Sequence, residues 1–260
     1  MNGAGTRTLF VFAHQDDEYS AAPWILEELA AGNAVACAYL TSGGFRSAPA
    51  VRDAESRDVL LTLGVAGDAI VFLESERGRI GDRELAARSL EGLAVLERWI
   101  DSAPFVPARI YAPSYEGGHP DHDAAHAIAA AVASRFDTIG DAWHFSLYNA
   151  YRCPRPFFSA LRQLPTTAPK RRATACWRTR LSLTMLCWRY RSQRRTWMAL
   201  FPGALLARTI LQAEFVARFD VARLTKRPHD GELLYERLFA TTYDDFAAQT
   251  AEVRKRSFDS

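Results

Sequence analysis

The chain has 260 residues, of which 48% are hydrophobic and 24% charged, and its formal net charge is +2. This length is sufficient to bury a substantial core, and we predict a single domain over residues 1–260. The apolar run at 8–12 is too short for a signal peptide and the one at 197–211 is too short to cross a bilayer, so the sequence excludes a transmembrane helix and favours a cytoplasmic protein.

The first 150 residues alternate short apolar runs with segments of helical periodicity. The runs predict strands at 9–12, 35–40, 69–73, 109–112 and 143–148. The periodic segments predict helices at 24–31, 52–63, 82–100 and 119–134. This alternation is typical of an α/β fold, a Rossmann-like and mostly parallel sheet with helices on both faces, with its core at 8–150. Prolines interrupt the later sequence, and we expect a less regular helical and loop region over 151–260.

Two polar motifs follow the first and fourth predicted strands. Residues 13–18 are Ala-His-Gln-Asp-Asp-Glu, and residues 119–122 are His-Pro-Asp-His. In open parallel sheets, ligands bind in the crevice beyond the carboxyl ends of the strands. We therefore expect the two motifs to share one site although they lie far apart in the sequence.

The composition of these motifs indicates a metal-dependent hydrolytic centre. Histidine and carboxylate bind zinc in catalytic sites, where three protein ligands leave one position open. His14, Asp17 and His122 form such a set. Asp16 cannot share the role of its neighbour Asp17, and it could act as general base toward a water molecule. Alternatively, the acidic residues after the strand only cap the next helix and compensate its dipole.

The second motif offers more than one assignment. One of its two histidines can reach the metal while the other, in its protonated form, faces a substrate carbonyl and stabilises the oxyanion. Asp121 can accept an imidazole N–H and fix its orientation or charge state. His126 lies four residues after His122 on the same helical face, so it is a rival third ligand.

The two motifs together resemble the family of zinc-dependent de-N-acetylases that includes the phosphatidylinositol-glycan class L (PIG-L) enzymes and the LmbE-like sugar deacetylases. The family signature is Ala-His-Pro-Asp-Asp-Glu and His-Pro-Asp-His, and the resemblance covers residues 9–133. Gln15 replaces the usual proline, a change that removes no ligand. Residues 41–44, Thr-Ser-Gly-Gly, stand where many members have Thr-Asp-Gly-Glu, and this departure puts substrate identity more in question than reaction type.

The resemblance implies a role for each motif residue. The cofactor would be Zn²⁺ or another divalent transition metal. Its ligands would be His14, Asp17 and His122. Asp16 would be the general base, and His119 would stabilise the oxyanion with Asp121 tuning it.

Two further residues are implied as substrate contacts. The family commonly carries a substrate-binding arginine in the helix that holds Arg52, although Arg52 and Glu55 could equally form a surface pair three residues apart. Residues 190–193, Tyr-Arg-Ser-Gln, resemble a weaker Ser-Gln motif found late in family members. Gln193 is the candidate contact in that motif.

Charge is distributed unevenly along the chain. Residues 142–213 contain thirteen Lys or Arg and no Asp or Glu, so the remaining nineteen bases stand against thirty acids. This stretch is either a solvated basic face or a surface that attracts an anionic substrate or membrane headgroups. Trp177, Trp188, Trp197 and Phe201 lie between its arginines, a mixture found in interfacial segments and also in buried helical subdomains. No recognised reader motif supports binding to nucleic acid.

These observations predict a zinc-dependent hydrolase that removes an N-acetyl group from an amino sugar or its nucleotide- or lipid-linked conjugate. Two alternatives stay open. A metal-dependent phosphoesterase could use the same His and Asp residues, usually with more carboxylates or a second ion. A non-catalytic protein that binds anions or membranes on a deacetylase scaffold would explain the basic stretch.

Overall fold

A computed structural model of the chain describes residues 5–43, 48–74, 80–103, 105–166 and 168–258. Its strands are β1 (Arg7–Phe12), β2 (Ala34–Tyr39), β3 (Ile70–Phe72), β4 (Arg109–Pro113), β5 (Ala142–Phe145), β6 (Tyr148–Asn149), β7 (Ser159–Ala160), β8 (Lys170–Arg172) and β9 (Phe215–Arg218). Its α-helices are α1 (Glu18–Ala30), α2 (Pro49–Leu63), α3 (Ser89–Ser102), α4 (Pro120–Arg135), α5 (Trp177–Met185), α6 (Arg194–Leu205), α7 (Leu234–Phe239), α8 (Tyr243–Gln249) and α9 (Ala251–Arg256).

Seven strands form one mostly parallel sheet in the order β3-β2-β1-β4-β5-β9-β8. The first five run parallel, whereas β9 pairs antiparallel with β5 and β8 pairs antiparallel with β9. The predicted α/β class is confirmed. The second half of the chain adds β9 and β8 to this sheet, and the sequence analysis predicted neither. Strand β8 is the basic edge segment Lys-Arg-Arg, which lacks the apolar run used to predict the other strands. Strands β6 and β7 pair separately.

Both faces of the sheet are covered, as expected. Leu9 and Val11 of β1 belong to a core cluster with residues of α3, α4 and α9. The alternate residues Phe10 and Phe12 belong to a second cluster with residues of α1, α2, α5 and α6. Burial on both sides explains why β1 is continuously apolar from Leu9 to Phe12. Within the described residues, no helix has the length and apolar character needed to span a membrane.

The largest difference from the sequence prediction lies before α3. This helix begins at Ser89, whereas periodicity placed its start at residue 82. The N–H groups of Arg83 and Leu85 donate to the Asp121 carboxylate, at 2.6 and 3.0 Å, so this segment forms turns. A contact with a residue far along the chain cannot be read from local periodicity. The fifth strand is also shorter than predicted, since β5 ends at Phe145.

Candidate active site

The two motifs meet at the carboxyl edge of the sheet, as the order of elements predicts. The first motif follows β1, and the second begins α4 just beyond the end of β4. Between them lies a cavity of about 400 Å³. The predicted site residues that line it are His14, Asp16, Asp17, Arg52, His119, His122 and Gln193. Asp121 is fully buried behind them.

Three side chains converge as a candidate metal centre. Nδ1 of His14 lies 3.2 Å from Nε2 of His122, which lies 3.0 Å from Oδ1 of Asp17. The other oxygen of Asp17 accepts the N–H groups of Ala13 and His14 at 2.9 Å, which directs Oδ1 toward the histidines. Burial opposes ionisation of Asp17, but the charge of His122 lowers its pKa below the usual value. Two imidazoles and an ionised carboxylate form a donor set that fits Zn²⁺.

His126, the rival ligand, lies outside this centre. Its Nδ1 is 2.8 Å from the carbonyl oxygen of Pro113, and its ring stacks on Phe219 at 4.2 Å. Among the described residues it belongs to neither group that could hold a metal. One turn of α4 beyond His122, the imidazole therefore packs under the site, and the rival assignment is wrong.

Asp121 supports the metal centre from behind through His14. Its Oδ2 lies 3.0 Å from Nε2 of His14, on the opposite side of the ring from the candidate metal position. Despite burial, hydrogen bonds with Asp121 and Asp82 raise the pKa of His14. A carboxylate in this position fixes the orientation of a ligating histidine. Asp121 thus contacts an imidazole as expected, but its carboxylate meets His14 and not His119.

His119 caps the first turn of α4. Its Nδ1 accepts the backbone N–H of Asp121 at 3.2 Å, so in the neutral ring the proton lies on Nε2. Burial, together with the positive charges of His14 and His122, lowers the pKa of His119 well below its usual value. This direction favours the neutral ring, with Nε2–H as a donor toward the cavity, over the protonated form expected from the sequence.

Asp16 lies in the cavity with an unusual backbone conformation. Its φ of 108° falls in a region that residues with side chains rarely adopt. Its N–H donates to Glu18 at 2.9 Å, and Arg52 donates to its carboxylate at 3.2 Å. Burial raises the pKa of Asp16 to about 7, with Arg52 opposing the rise. A carboxylate that titrates near neutrality is suited to general base catalysis.

Arg52 and Glu55 do not form a surface pair, so that alternative is wrong. Arg52 is buried, and its guanidinium donates to the carbonyl oxygens of Gln15 and Gly43 as well as to Asp16. Glu55 accepts the N–H and the hydroxyl of Ser192, at 2.9 and 2.6 Å. Glu55 thus anchors the short segment that carries Gln193 into the cavity wall.

Sequence reasoning missed Asp82, which lies in the cavity between two histidines. Its Oδ1 is 3.2 Å from Nε2 of His14 and 3.6 Å from Nε2 of His119. Burial opposes ionisation, but hydrogen bonding to His14 and the nearby positive charges lower the pKa of Asp82. The predicted helix at 82–100 hid this residue. A search for acidic residues beyond every predicted strand, not only the first and fourth, would have found it.

The first half of the chain matches a known family model. Residues 9–133 match the family model of PIG-L, GlcNAc-PI de-N-acetylase. The matched segment holds both motifs, Arg52 and Asp82, whereas Gln193 lies beyond it. No curated protein matches the chain in sequence.

Solved structures of similar fold extend beyond the PIG-L segment. A deacetylase of the teicoplanin biosynthesis pathway is 17% identical, with a TM-score of 0.60, and the match covers 83% of this chain and 99% of that one. The zinc-inhibited form of teicoplanin deacetylase is 16% identical over 83% and 99%, with a TM-score of 0.58. The A40926 pseudoaglycone deacetylase is 16% identical over 83% and 98%, with a TM-score of 0.58. At these identities the likeness concerns the fold.

Proposed function

We propose that the protein is a metal-dependent hydrolase that removes an N-acetyl group from an amino sugar or amino-sugar conjugate. One observation carries the proposal: His14, Asp17 and His122 converge beside Asp16, a carboxylate with a pKa near neutrality. The match of residues 9–133 to the PIG-L family model supports de-N-acetylation. The similar fold of the teicoplanin-pathway deacetylase and of the A40926 pseudoaglycone deacetylase supports the same reaction class.

The chain's own residues divide the work of amide hydrolysis. His14, Asp17 and His122 would hold Zn²⁺ or another divalent transition metal, which supplies Lewis-acid chemistry when bound. Asp16 accepts a proton from the water that attacks the acetyl carbon. His119 donates its Nε2–H to the carbonyl oxygen as negative charge develops there.

The second half of the reaction breaks the C–N bond. The proton held by Asp16 passes to the leaving nitrogen, and the products are acetate and a free amine. Asp121 and Asp82 are positioning residues, because they act through the imidazoles of His14 and His119. Arg52 holds Asp16 in place, and Gln193 is a candidate contact to the sugar.

The cavity constrains the substrate. A volume of about 400 Å³ lies at the lower end of the range for small-ligand sites, so it suits one sugar unit of a larger conjugate. The remainder of the conjugate would lie along the cavity mouth. Residues 142–213, which carry no acidic side chain, contribute Tyr148, Gln193 and Trp197 to the cavity lining, and the positive charge of this stretch favours a nucleotide- or lipid-linked, anionic carrier.

The experiment incubates zinc-loaded protein with a panel of N-acetylated amino-sugar conjugates. Mass spectrometry measures the release of acetate. We expect Asp16→Asn to lower kcat by about 10²- to 10⁴-fold with unchanged metal content. His122→Ala should lose the metal as well. Asp68→Asn, an exposed acid outside the site, is the matched control.

Two results would overturn the proposal. Full activity of Asp16→Asn would show that Asp16 is not the general base. Binding of two ions per chain, with phosphate ester cleavage and no acetate release, would instead indicate a phosphoesterase, since the group His14, Asp82, His119 and Asp121 would then form a second metal position.

A further inference from the structure

The solvent face of α5 carries a stripe of large apolar side chains. The stripe consists of Trp177, Leu181 and Met185 in α5 and of Trp188 in the 3-10 turn at residues 186–189 that follows it. They recur at intervals of four, four and three residues, and all are exposed, Trp177 by 67%. Residues at this spacing share one side of a helix. The opposite side of α5 supplies the buried Leu183 to the core. Apolar side chains therefore lie on both sides of α5, although packing against the core requires them only on the inner side.

The solvent face of α6 and the π-helical turn that follows it carries a second stripe. Met198, Leu206 and Ile210 recur at intervals of eight and four residues, and Met198 and Ile210 are 62% and 68% exposed. The inner side of α6 lines the catalytic cavity through Trp197 and Leu200. One helix thus has the candidate active site on one side and an apolar solvent face on the other.

Exposure of this kind is concentrated in one segment. In the described part of the chain, fifteen large apolar side chains are strongly exposed, and eight of them lie within residues 177–211. The ring of Trp188 lies 5.1 Å from that of Phe201 in α6, so the end of the first stripe packs against the helix that begins the second. Contiguous exposed apolar surface marks an interaction site.

The charges around the stripes select the kind of partner. Arg178, Arg191, Arg194 and Arg195 are exposed, and within the described ranges none of these four forms an ion pair. Arg189 differs, since it pairs with Asp58 at 2.6 Å. No acidic residue occurs between 142 and 213. A second copy of the chain would bring like charges together, whereas an anionic lipid surface neutralises the arginines and receives the apolar side chains.

We propose that residues 177–211 dock the protein on an anionic lipid bilayer. Tryptophan is enriched at the boundary between headgroups and acyl chains, where Trp177 and Trp188 would lie. Arginine keeps its charged end among the headgroups while its stem covers apolar surface. Because α6 also walls the cavity, docking brings the active site next to the bilayer.

The test is co-sedimentation of the full chain with vesicles of phosphatidylcholine alone and of phosphatidylcholine with phosphatidylglycerol. We expect binding to the anionic vesicles only, weakened by added salt. The variant Trp177→Ser/Met198→Ser/Ile210→Ser should bind at least tenfold more weakly. Its matched control, Leu61→Ser/Val106→Ser/Phe258→Ser, replaces exposed apolar residues elsewhere and should bind like the wild type.

A second variant tests the charges without altering the apolar stripes. Arg194→Gln/Arg195→Gln should weaken binding at least tenfold, since each cation near an anionic surface contributes about 1 kcal/mol. Thermal unfolding of each variant verifies that it is folded. If Trp177→Ser/Met198→Ser/Ile210→Ser does not fold, the binding of Arg194→Gln/Arg195→Gln to anionic vesicles tests the docking proposal by itself.

Three results would overturn the docking proposal: no binding of the wild type to anionic vesicles, equal binding by the variants and the wild type, or a wild-type dimer that the stripe substitutions dissociate. Acetate release from a soluble N-acetylated amino sugar, measured without vesicles, should be the same in all variants. Absence of acetate release from the wild type and all variants would contradict the proposed function. The docking proposal would still be supported or overturned by the vesicle binding alone.

Discussion

Arg52 Nη2 lies 3.2 Å from Oδ1 of Asp16, and the same guanidinium also binds the carbonyl oxygens of Gln15 and Gly43. A residue of α2 thus holds both the side chain and the backbone of the loop that carries the candidate base. Its charge also opposes the effect of burial on the pKa of Asp16, which stands at about 7.

Replacement of Arg52 should change the pH dependence of the reaction. Asp16 must be ionised to accept a proton, so the rate should rise with pH through about 7. Arg52→Gln removes a charge that favours the ionised form, and the rise should move to higher pH. A pH profile of kcat measures the effect, with Arg57→Gln on the same helix as control. An unchanged profile with unchanged kcat would show that Arg52 does not act on Asp16.

Asp121→Asn should weaken metal binding without removing a ligand. Asp121 contacts Nε2 of His14 from the side opposite the candidate metal position. Loss of such a supporting carboxylate typically lowers metal affinity by about 10- to 100-fold. Competition with a chromophoric chelator measures the affinity, and Asp101→Asn, an exposed acid on α3, is the control. Wild-type affinity in Asp121→Asn would contradict this role.

Asp82→Asn tests the residue that the sequence did not reveal. It keeps the size of the side chain but removes the negative charge between His14 and His119. We expect kcat/KM to fall by roughly 10- to 100-fold, as for other carboxylates that orient catalytic imidazoles. Stability should change little, because Asp82 lies in a partly exposed turn. Glu84→Gln, two residues later and exposed, should behave as wild type; equal activity of both variants would remove Asp82 from the site.

His126 should make the protein less stable in acid. Burial lowers its pKa to about 4, whereas in the unfolded chain it titrates near 6.5. Between these values the unfolded state binds more protons, so the free energy of unfolding falls as pH falls. The contribution amounts to about 2 kcal/mol between pH 7 and pH 5. Denaturant unfolding at both pH values should show a smaller difference in His126→Gln than in the wild type, and an equal difference would contradict this origin.

The five parallel strands and the two motifs were predictable because they depend on local signals. Strands such as β1 are continuous apolar runs, and Gly64, with a φ of 99°, ends α2 where the sequence places it. The order of strands and helices then brings His14 and His122 to one edge. No position in that argument requires knowledge of a remote contact.

The remaining features depend on contacts between distant residues. The turns at 82–88 exist because Asp121 binds the N–H groups of Arg83 and Leu85, so Asp82 was hidden inside a predicted helix. The lowered pKa of His119 depends on burial and on the charges of neighbouring imidazoles. The buried position of Arg52 likewise depends on a loop in another part of the chain, which helical spacing alone cannot reveal.

The left-handed backbone of Asp16 lowers the stability of the fold, whereas its carboxylate is required for the proposed activity. A non-glycine residue at a φ of 108° stores strain that a glycine would relieve, on the order of 1 to 3 kcal/mol. Asp16→Gly should therefore unfold at a higher temperature than the wild type and yet lack the carboxylate that accepts the proton. Selection for a more robust fold and selection for turnover act in opposite directions at this position. A thermostable relative with glycine here would be expected to have lost the reaction while keeping the metal ligands.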